Sequence, residues 1–218
     1  LESLALQPEI SEAVRNELNA TITDADHLLA TFRALLRIAR IESGTHDEAW
    51  TDIDLGALLH DAWELYHAVG EEKEITVHLG AAAGRMRGDR DLIFQAVSNL
   101  LDNAIKYSPS GSDVRLEMRD EDGHLTIIVS DQGPGVPEAE RGKVLDRFYR
   151  TATVTGIPGS GLGLSLVNAI ARHHGGQLVL ADNAPGLRVM LELPKTDSAG
   201  PASVPEAGLI RAARPAHH

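Results

Sequence analysis

The chain has 218 residues, 43% apolar and only 4% aromatic, with a formal net charge of -12. That is room for one globular domain with an appendage, or for two small domains, with a core of Leu, Ile, Val and Ala. The acidic balance excludes a nonspecific nucleic-acid binder, which needs clustered Lys and Arg. The absence of cysteine excludes disulfides, thiolate metal sites and a Cys nucleophile. No apolar run has the length of a bilayer span, and no signal peptide is present.

In chain order, residues 1–6 are helix-compatible and are broken at Gln7-Pro8, because Pro8 disfavours helical geometry at Gln7. Ser11 is placed to cap a new helix. Apolar residues then recur at helical spacing through Val14, Leu18, Ile22, Ala25, Leu28, Leu29, Phe32, Leu35, Leu36 and Ala39, as far as Ser43-Gly44. Such a stripe belongs either to a helix lying on its own domain or to one arm of a helical bundle. After a polar link, Asp52-Ile-Asp54 alternates like an edge strand, and Asp54 caps a helix over about 55–69. Strands are predicted at 74–79 and 85–88, and Asp89 caps a helix that runs through Tyr107. Strands at 113–119 and 124–130 form a hairpin around Asp120-Glu-Asp-Gly123. Residues 132–160 are rich in Gly, Pro and polar groups. A helix over 161–174, strands at 177–182 and 187–193, and a turn at Asn183-Ala-Pro-Gly186 complete the domain. The tail after Pro194 has a disorder-type composition. The whole predicts an α+β chain. Residues 50–194 form a two-layer α/β sandwich, with a mixed, mostly antiparallel sheet and helices on one face.

Three clusters carry chemistry. Asn99 and Asn103 share one face of their helix. An amide carbonyl suits Mg²⁺, a hard cation that takes oxygen ligands. Lys106 and Tyr107 close that helix, and Lys106 offers a point charge for phosphate. Asp131 ends an apolar strand beside Gly133-Pro-Gly135. A buried carboxylate there accepts a hydrogen bond from the exocyclic amine of adenine, whereas guanine offers it an acceptor, so ATP is preferred over GTP. Gly159-Ser-Gly161-Leu162-Gly163 opens a helix whose N–H groups favour phosphate. It lacks the Gly-Lys-Ser/Thr of a P-loop. The segment from Arg141 to Ser160, with Phe148 between Arg147 and Arg150, reads as a lid, and Arg150 reaches a γ-phosphate when it closes. Taken singly, these features are also what surface amides, a turn Asp, a glycine turn and a surface Arg look like. Their combination points to an ATP site.

In this order and spacing the clusters resemble the ATP-binding catalytic domain of sensor histidine kinases of two-component systems. Asn99 through Tyr107 is similar to the family's N box, and Asp131 through Gly135 to its first glycine box. Arg147-Phe-Tyr-Arg150 is similar to its F box, Gly159 through Gly163 to its second glycine box, and His174-Gly175-Gly176 to the glycine pair after the last helix. Leu36 through Gly44 is similar to the end of the dimerisation hairpin, so residues 1–44 are expected to be part of that hairpin, mainly its second helix. The resemblance implies ATP and Mg²⁺ as cofactors, with Asn103 on the metal and Asp131 on adenine. It implies phosphate or lid roles for Asn99, Lys106, Gly161 and Gly163. Tyr107, Gly133, Gly135, Phe148, Gly159 and Leu162 complete the expected nucleotide site, and Asn99, Lys106 and Arg150 are the expected catalytic group.

It also implies transfer of the γ-phosphoryl to a histidine, and from there to an aspartate of a response-regulator receiver domain. A homodimer in the full-length protein and a cytoplasmic kinase core whose parent is anchored in the bacterial inner membrane through regions upstream are further implications. The family's acceptor is a His followed by an acidic residue, a basic residue and Pro. None of the 10 His residues has that context: His27 lacks the Pro, and His46 sits in the linker. The expectation is a truncated piece that binds ATP and does not phosphorylate itself in the usual way. The competing readings are an ATPase of the same fold, a Ser/Thr anti-sigma-type kinase, and a nucleotide-free interaction module. An ATPase needs a Glu where Asn99 stands, because an amide cannot take a proton from water at neutral pH.

Overall fold

A computed structural model describes residues 12–43, 50–121, 123–154, 156–157 and 159–195. The expectations for residues 1–11, for the linker with His46 and for the tail lie outside the described residues.

Helix α1, Glu12–Glu42, is followed by β1 (Trp50–Asp54), α2 (Leu55–Glu71), β2 (Thr76–Leu79), β3 (Arg85–Asp89) and α3 (Arg90–Tyr107). Strands β4 (Asp113–Glu121) and β5 (His124–Ser130) form the expected hairpin. Helix α4 (Gly163–His173) and strands β6 (Gln177–Asp182) and β7 (Leu187–Pro194) close the domain. The two aspartate caps form as the sequence requires. Asp54 accepts from the Ala57 amide at 3.1 Å. One oxygen of Asp89 accepts from the amides of Asp91 at 3.0 Å and Leu92 at 3.1 Å. Each cap satisfies N–H groups that helix geometry leaves without a partner, worth about 1 kcal/mol.

The main sheet has the order β2-β4-β5-β7-β6. Its β2–β4 pair is parallel and the other pairs are antiparallel. Along β4 and β7 alternate residues are buried: Val114, Leu116 and Met118 on one, Val189, Leu191 and Leu193 on the other. Helix α3 covers the sheet with Leu92, Ile93, Ala96, Val97, Leu100, Leu101, Ala104 and Ile105, all at most 2% exposed. Strands β1 and β3 do not join this sheet. They pair with each other, Trp50 opposite Asp89 and Asp54 opposite Arg85, as a separate antiparallel ribbon. The alternation in the sequence marks them as strands but carries no information about their partners.

His174 joins this ribbon to the helices. It is 2% exposed, and its Nε2 accepts from the Asp89 amide at 3.1 Å. That leaves Nδ1–H to donate to the Ile170 carbonyl at 2.9 Å. The Trp50 ring stacks on it, with centroids 5.3 Å apart. An Nε2 that accepts belongs to a neutral ring, and burial pushes the imidazole pKa down in the same sense.

Helix α1 is docked at one end and exposed along much of the rest of its stripe. Its last turns lie on the domain: Ile38 and Ile41 are buried in the common core, and the helix packs on α4. Farther up, Leu28, Leu29, Phe32 and Leu36 are exposed. Its final residue, Glu42, accepts two hydrogen bonds from the Arg147 guanidinium, each 2.5 Å.

Candidate nucleotide site

A cavity of about 720 Å³ opens between α3, the turn after β5, the 141–162 segment, the start of β7 and one face of α1. This lies within the range typical of small-molecule sites. Asn99, Asn103, Lys106, Tyr107, Asp131, Gly135, Arg150, Gly159, Gly161 and Gly163 all line it, so the fold gathers residues separated by up to 64 positions in sequence.

At one end stands Asp131, 7% exposed. Its Oδ1 accepts from the amides of Gly133 at 2.8 Å and Leu187 at 3.1 Å. Both donors converge on one oxygen, so Oδ2 is engaged by neither. Burial pushes the carboxyl pKa up, and the two N–H donors pull it back. Val129, Leu187 and Val189 supply apolar walls beside it. An anchored carboxylate among apolar side chains is what a base bearing an amino group needs.

At the other end are the two amides. Asn99 donates through Nδ2 to the Gln95 carbonyl at 2.9 Å. Gly163, the first residue of α4, packs against both side chains. A Cβ there would lie 3.2 Å from Asn103 Nδ2 and 3.6 Å from Asn99 Oδ1. The N-terminus of α4 therefore lies against the amide pair, and a helix N-terminus favours phosphate oxygens. Lys106 reaches across toward Gly159, and its Nζ stands 5.2 Å from the Tyr107 ring centroid. Burial lowers the Lys106 pKa, while Asp102 raises it and Arg150 lowers it. A phosphate chain entering the cleft relieves the repulsion between the two cations. Among the described residues no three His, Asp or Glu side chains cluster as a metal site. The amide oxygen of Asn103 is the kind of donor that suits Mg²⁺, which keeps mostly phosphate and water ligands.

Three expected site residues stand outside the cavity wall. Gly133 lies behind Asp131, where its amide orients the carboxylate and its Cα packs on the Tyr107 carbonyl. Leu162 is 1% exposed and belongs to the core at the start of α4. Phe148 is exposed, with a left-handed φ of 65°. Arg150 lines the cavity, but its guanidinium donates to the carbonyls of Val154 and Ile157 within its own segment. Among the wall residues that sequence reasoning missed, two contributors are instructive. One is Leu187, whose place opposite the end of β5 is a matter of strand register. The other is α1, whose Leu28, Ala30 and Thr31 form part of the cavity wall. The helical period showed the stripe on α1 but not what it would face.

A buried carboxylate at one end of the cleft and amides under a helix N-terminus at the other suit a nucleotide-binding domain. The family model described as "Histidine kinase-, DNA gyrase B-, and HSP90-like ATPase" matches residues 88–197, and the chain belongs to this family. The MprB signal transduction histidine-protein kinase/phosphatase of Mycobacterium leprae is 41% identical over 137 residues, which are 62% of this chain and 26% of that protein. The chain thus spans about a quarter of the length of the curated relatives it matches. A solved mycobacterial sensor histidine kinase MprB superposes with a TM-score of 0.59 at 34% identity, covering 66% of this chain and 97% of that one. Full-length ShkA in complex with AMPPNP superposes with a TM-score of 0.74 at 25% identity, covering 89% of this chain and 41% of that one. The chain is accordingly similar to the ATP-binding core of MprB-type sensor histidine kinases, and most of the residues that line the cleft fall in the family-matched region.

Proposed function

We propose that this chain binds ATP with Mg²⁺ and passes the γ-phosphoryl to a histidine outside its own 218 residues, from which an aspartate of a response regulator takes it. The observation that supports this most is the pairing, in one cavity, of the anchored Asp131 carboxylate with the Asn99–Asn103 amides beneath the first turn of α4. Asp131 accepts the adenine amine and fixes the base. The N–H groups at the start of α4 and the Lys106 ammonium hold the phosphates and draw off charge as the bond between the γ-phosphorus and its bridging oxygen breaks. Asn103 is the ligand for Mg²⁺, which supplies charge neutralisation when bound. The new bond forms to an imidazole nitrogen, and ADP departs with the electron pair of the broken bond.

Asn99 separates this reading from an ATPase. Its amide orients without taking a proton, so water is a poor nucleophile here and a presented histidine a good one. The wider setting belongs to the same proposal: a homodimer, a receiver-domain partner, and a cytoplasmic core in a parent held at the bacterial inner membrane. No helix among the described residues is long and apolar enough to cross a membrane. Two experiments test the reading. Calorimetry with Mg²⁺ should show heat for ATP and far less for GTP. Adding a peptide hairpin that carries the acceptor histidine should give acid-labile phosphate on that peptide. Equal heats for ATP and GTP, or phosphate released to water at the same rate with and without the hairpin, would sink it.

A further inference from the structure

Asp131 is tied to the turn between β6 and β7 and the first residue of β7 through its amide, its carbonyl and Oδ1. Its amide donates to the Leu187 carbonyl at 2.9 Å. Its carbonyl accepts from Asn183 Nδ2 at 2.8 Å. Its Oδ1 accepts from the Leu187 amide at 3.1 Å. The turn is itself braced: the Asn183 amide donates to the Gly186 carbonyl at 3.1 Å, and Arg188 donates to Asn183 Oδ1 at 3.1 Å and to Ser130 Oγ at 3.2 Å. Gly186 closes the contact. Its φ is 113°, and a Cβ on it would stand 1.8 Å from the Asp131 carbonyl oxygen. Only a residue without a side chain fits there. Neither Asn183 nor Arg188 lines the cavity.

We infer that Asn183, braced by Arg188, is a positioning residue for purine selectivity: through the Asp131 carbonyl and the Leu187 amide it fixes the direction of the carboxylate oxygen that reads the amino group of the base. This rests on the assignment of Asp131 to adenine made above. The geometry gives the cause. A carboxylate pinned at Oδ1 by two main-chain N–H groups presents Oδ2 in one direction. The Leu187 donor holds its place only while the turn does. Without the Asn183 bond, the Asp131 carbonyl and the Leu187 amide separate, the carboxylate gains rotational freedom, and the hydrogen bond to the base loses its alignment.

The test uses the full chain with Mg²⁺ and two probes, ATP and purine riboside triphosphate, which lacks the exocyclic amine. The parent should bind ATP roughly tenfold or more tighter than the analogue, one well-aligned hydrogen bond to a charged group. Asn183→Ala, and Asn183→Asp, which keeps the shape but loses the N–H donor, should each cut that ratio to about a third or less. They should do so by weakening ATP and leaving the analogue unchanged. Arg188→Met should lower the ratio by less and provides the same readout if the Asn183 variants do not fold. Amide exchange at Leu187 in the nucleotide-free protein should accelerate in all three. A ratio unchanged in the variants, with both probes weakened alike or neither weakened, overturns the inference, because a merely structural turn would act on both nucleotides equally. A parent that does not discriminate between the probes overturns the adenine assignment instead.

Discussion

The two ends of the cleft are built differently. At the base end, Asp131 is buried and its backbone and carboxylate are held by main-chain and side-chain bonds from Gly133, Asn183 and Leu187. At the phosphate end, the regular structure described in the 141–162 segment is two three-residue 3-10 turns, and among its described side chains only Val144, Thr151 and Leu162 are buried. Two of its charged groups, Arg147 and Arg150, make solvent-exposed hydrogen bonds. The difference fits the proposed phosphoryl transfer. The base is the same before and after phosphoryl transfer, so the group that reads it can be fixed. The phosphate chain loses a charged group, so its container must rearrange, and segments with few buried contacts rearrange at low cost.

The sharpest break of this comparison is at the amide face. Asn103→Ala should abolish Mg²⁺-dependent ATP binding measured by calorimetry, while the fold melts as before. Unchanged affinity would remove Asn103 from the site. Next comes the base end itself. Gly186→Ala should cost about 3 kcal/mol of folding stability in a denaturant titration, because a side chain at that φ collides with the Asp131 carbonyl. Asp131→Asn should weaken ATP by about 1–3 kcal/mol while sparing stability, and a negligible change would show that the buried carboxylate does not read the base.

A smaller effect comes from the frame. The pKa of His174 is held below the usual 6.5 by burial, so the unfolded chain takes up a proton first as pH falls. Stability should therefore be fully present above about pH 6.5 and decline as pH drops below it through the folded value. The decline should be shallower in His174→Gln, as measured by denaturation at paired pH values. Smallest of all, Glu42→Gln removes an ion pair whose side chains are 54% and 40% exposed, and should cost at most about 1 kcal/mol, less at high salt. A large effect would mean that the phosphate end is as firmly fixed as the base end.

What the sequence discloses follows from how local each feature is. Asp54 and Asp89 announce their helices because an N-cap is decided within three residues. The β4–β5 hairpin announces itself through alternation around Gly123. The amide pair and the glycine clusters are visible because their spacing carries their chemistry. The β1–β3 ribbon, the docking of Ile38 and Ile41 on α4, and the brace from Asn183 to Asp131 are contacts between distant segments, and no periodicity encodes them. Arg150 shows the same limit. A cation in a glycine-flanked loop looks free to reach phosphate, whereas here it is engaged by the carbonyls of Val154 and Ile157.

The wall that α1 contributes to the cavity has a consequence for energetics. Leu28, Ala30 and Thr31 lie outside residues 88–197, yet they shape the space that a nucleotide enters. Occupancy and helix placement are then linked functions. By reciprocity, whatever factor this placement adds to nucleotide affinity, the bound nucleotide returns as preference for this placement. A measured binding constant for the chain is thus also a gauge of where its first helix rests.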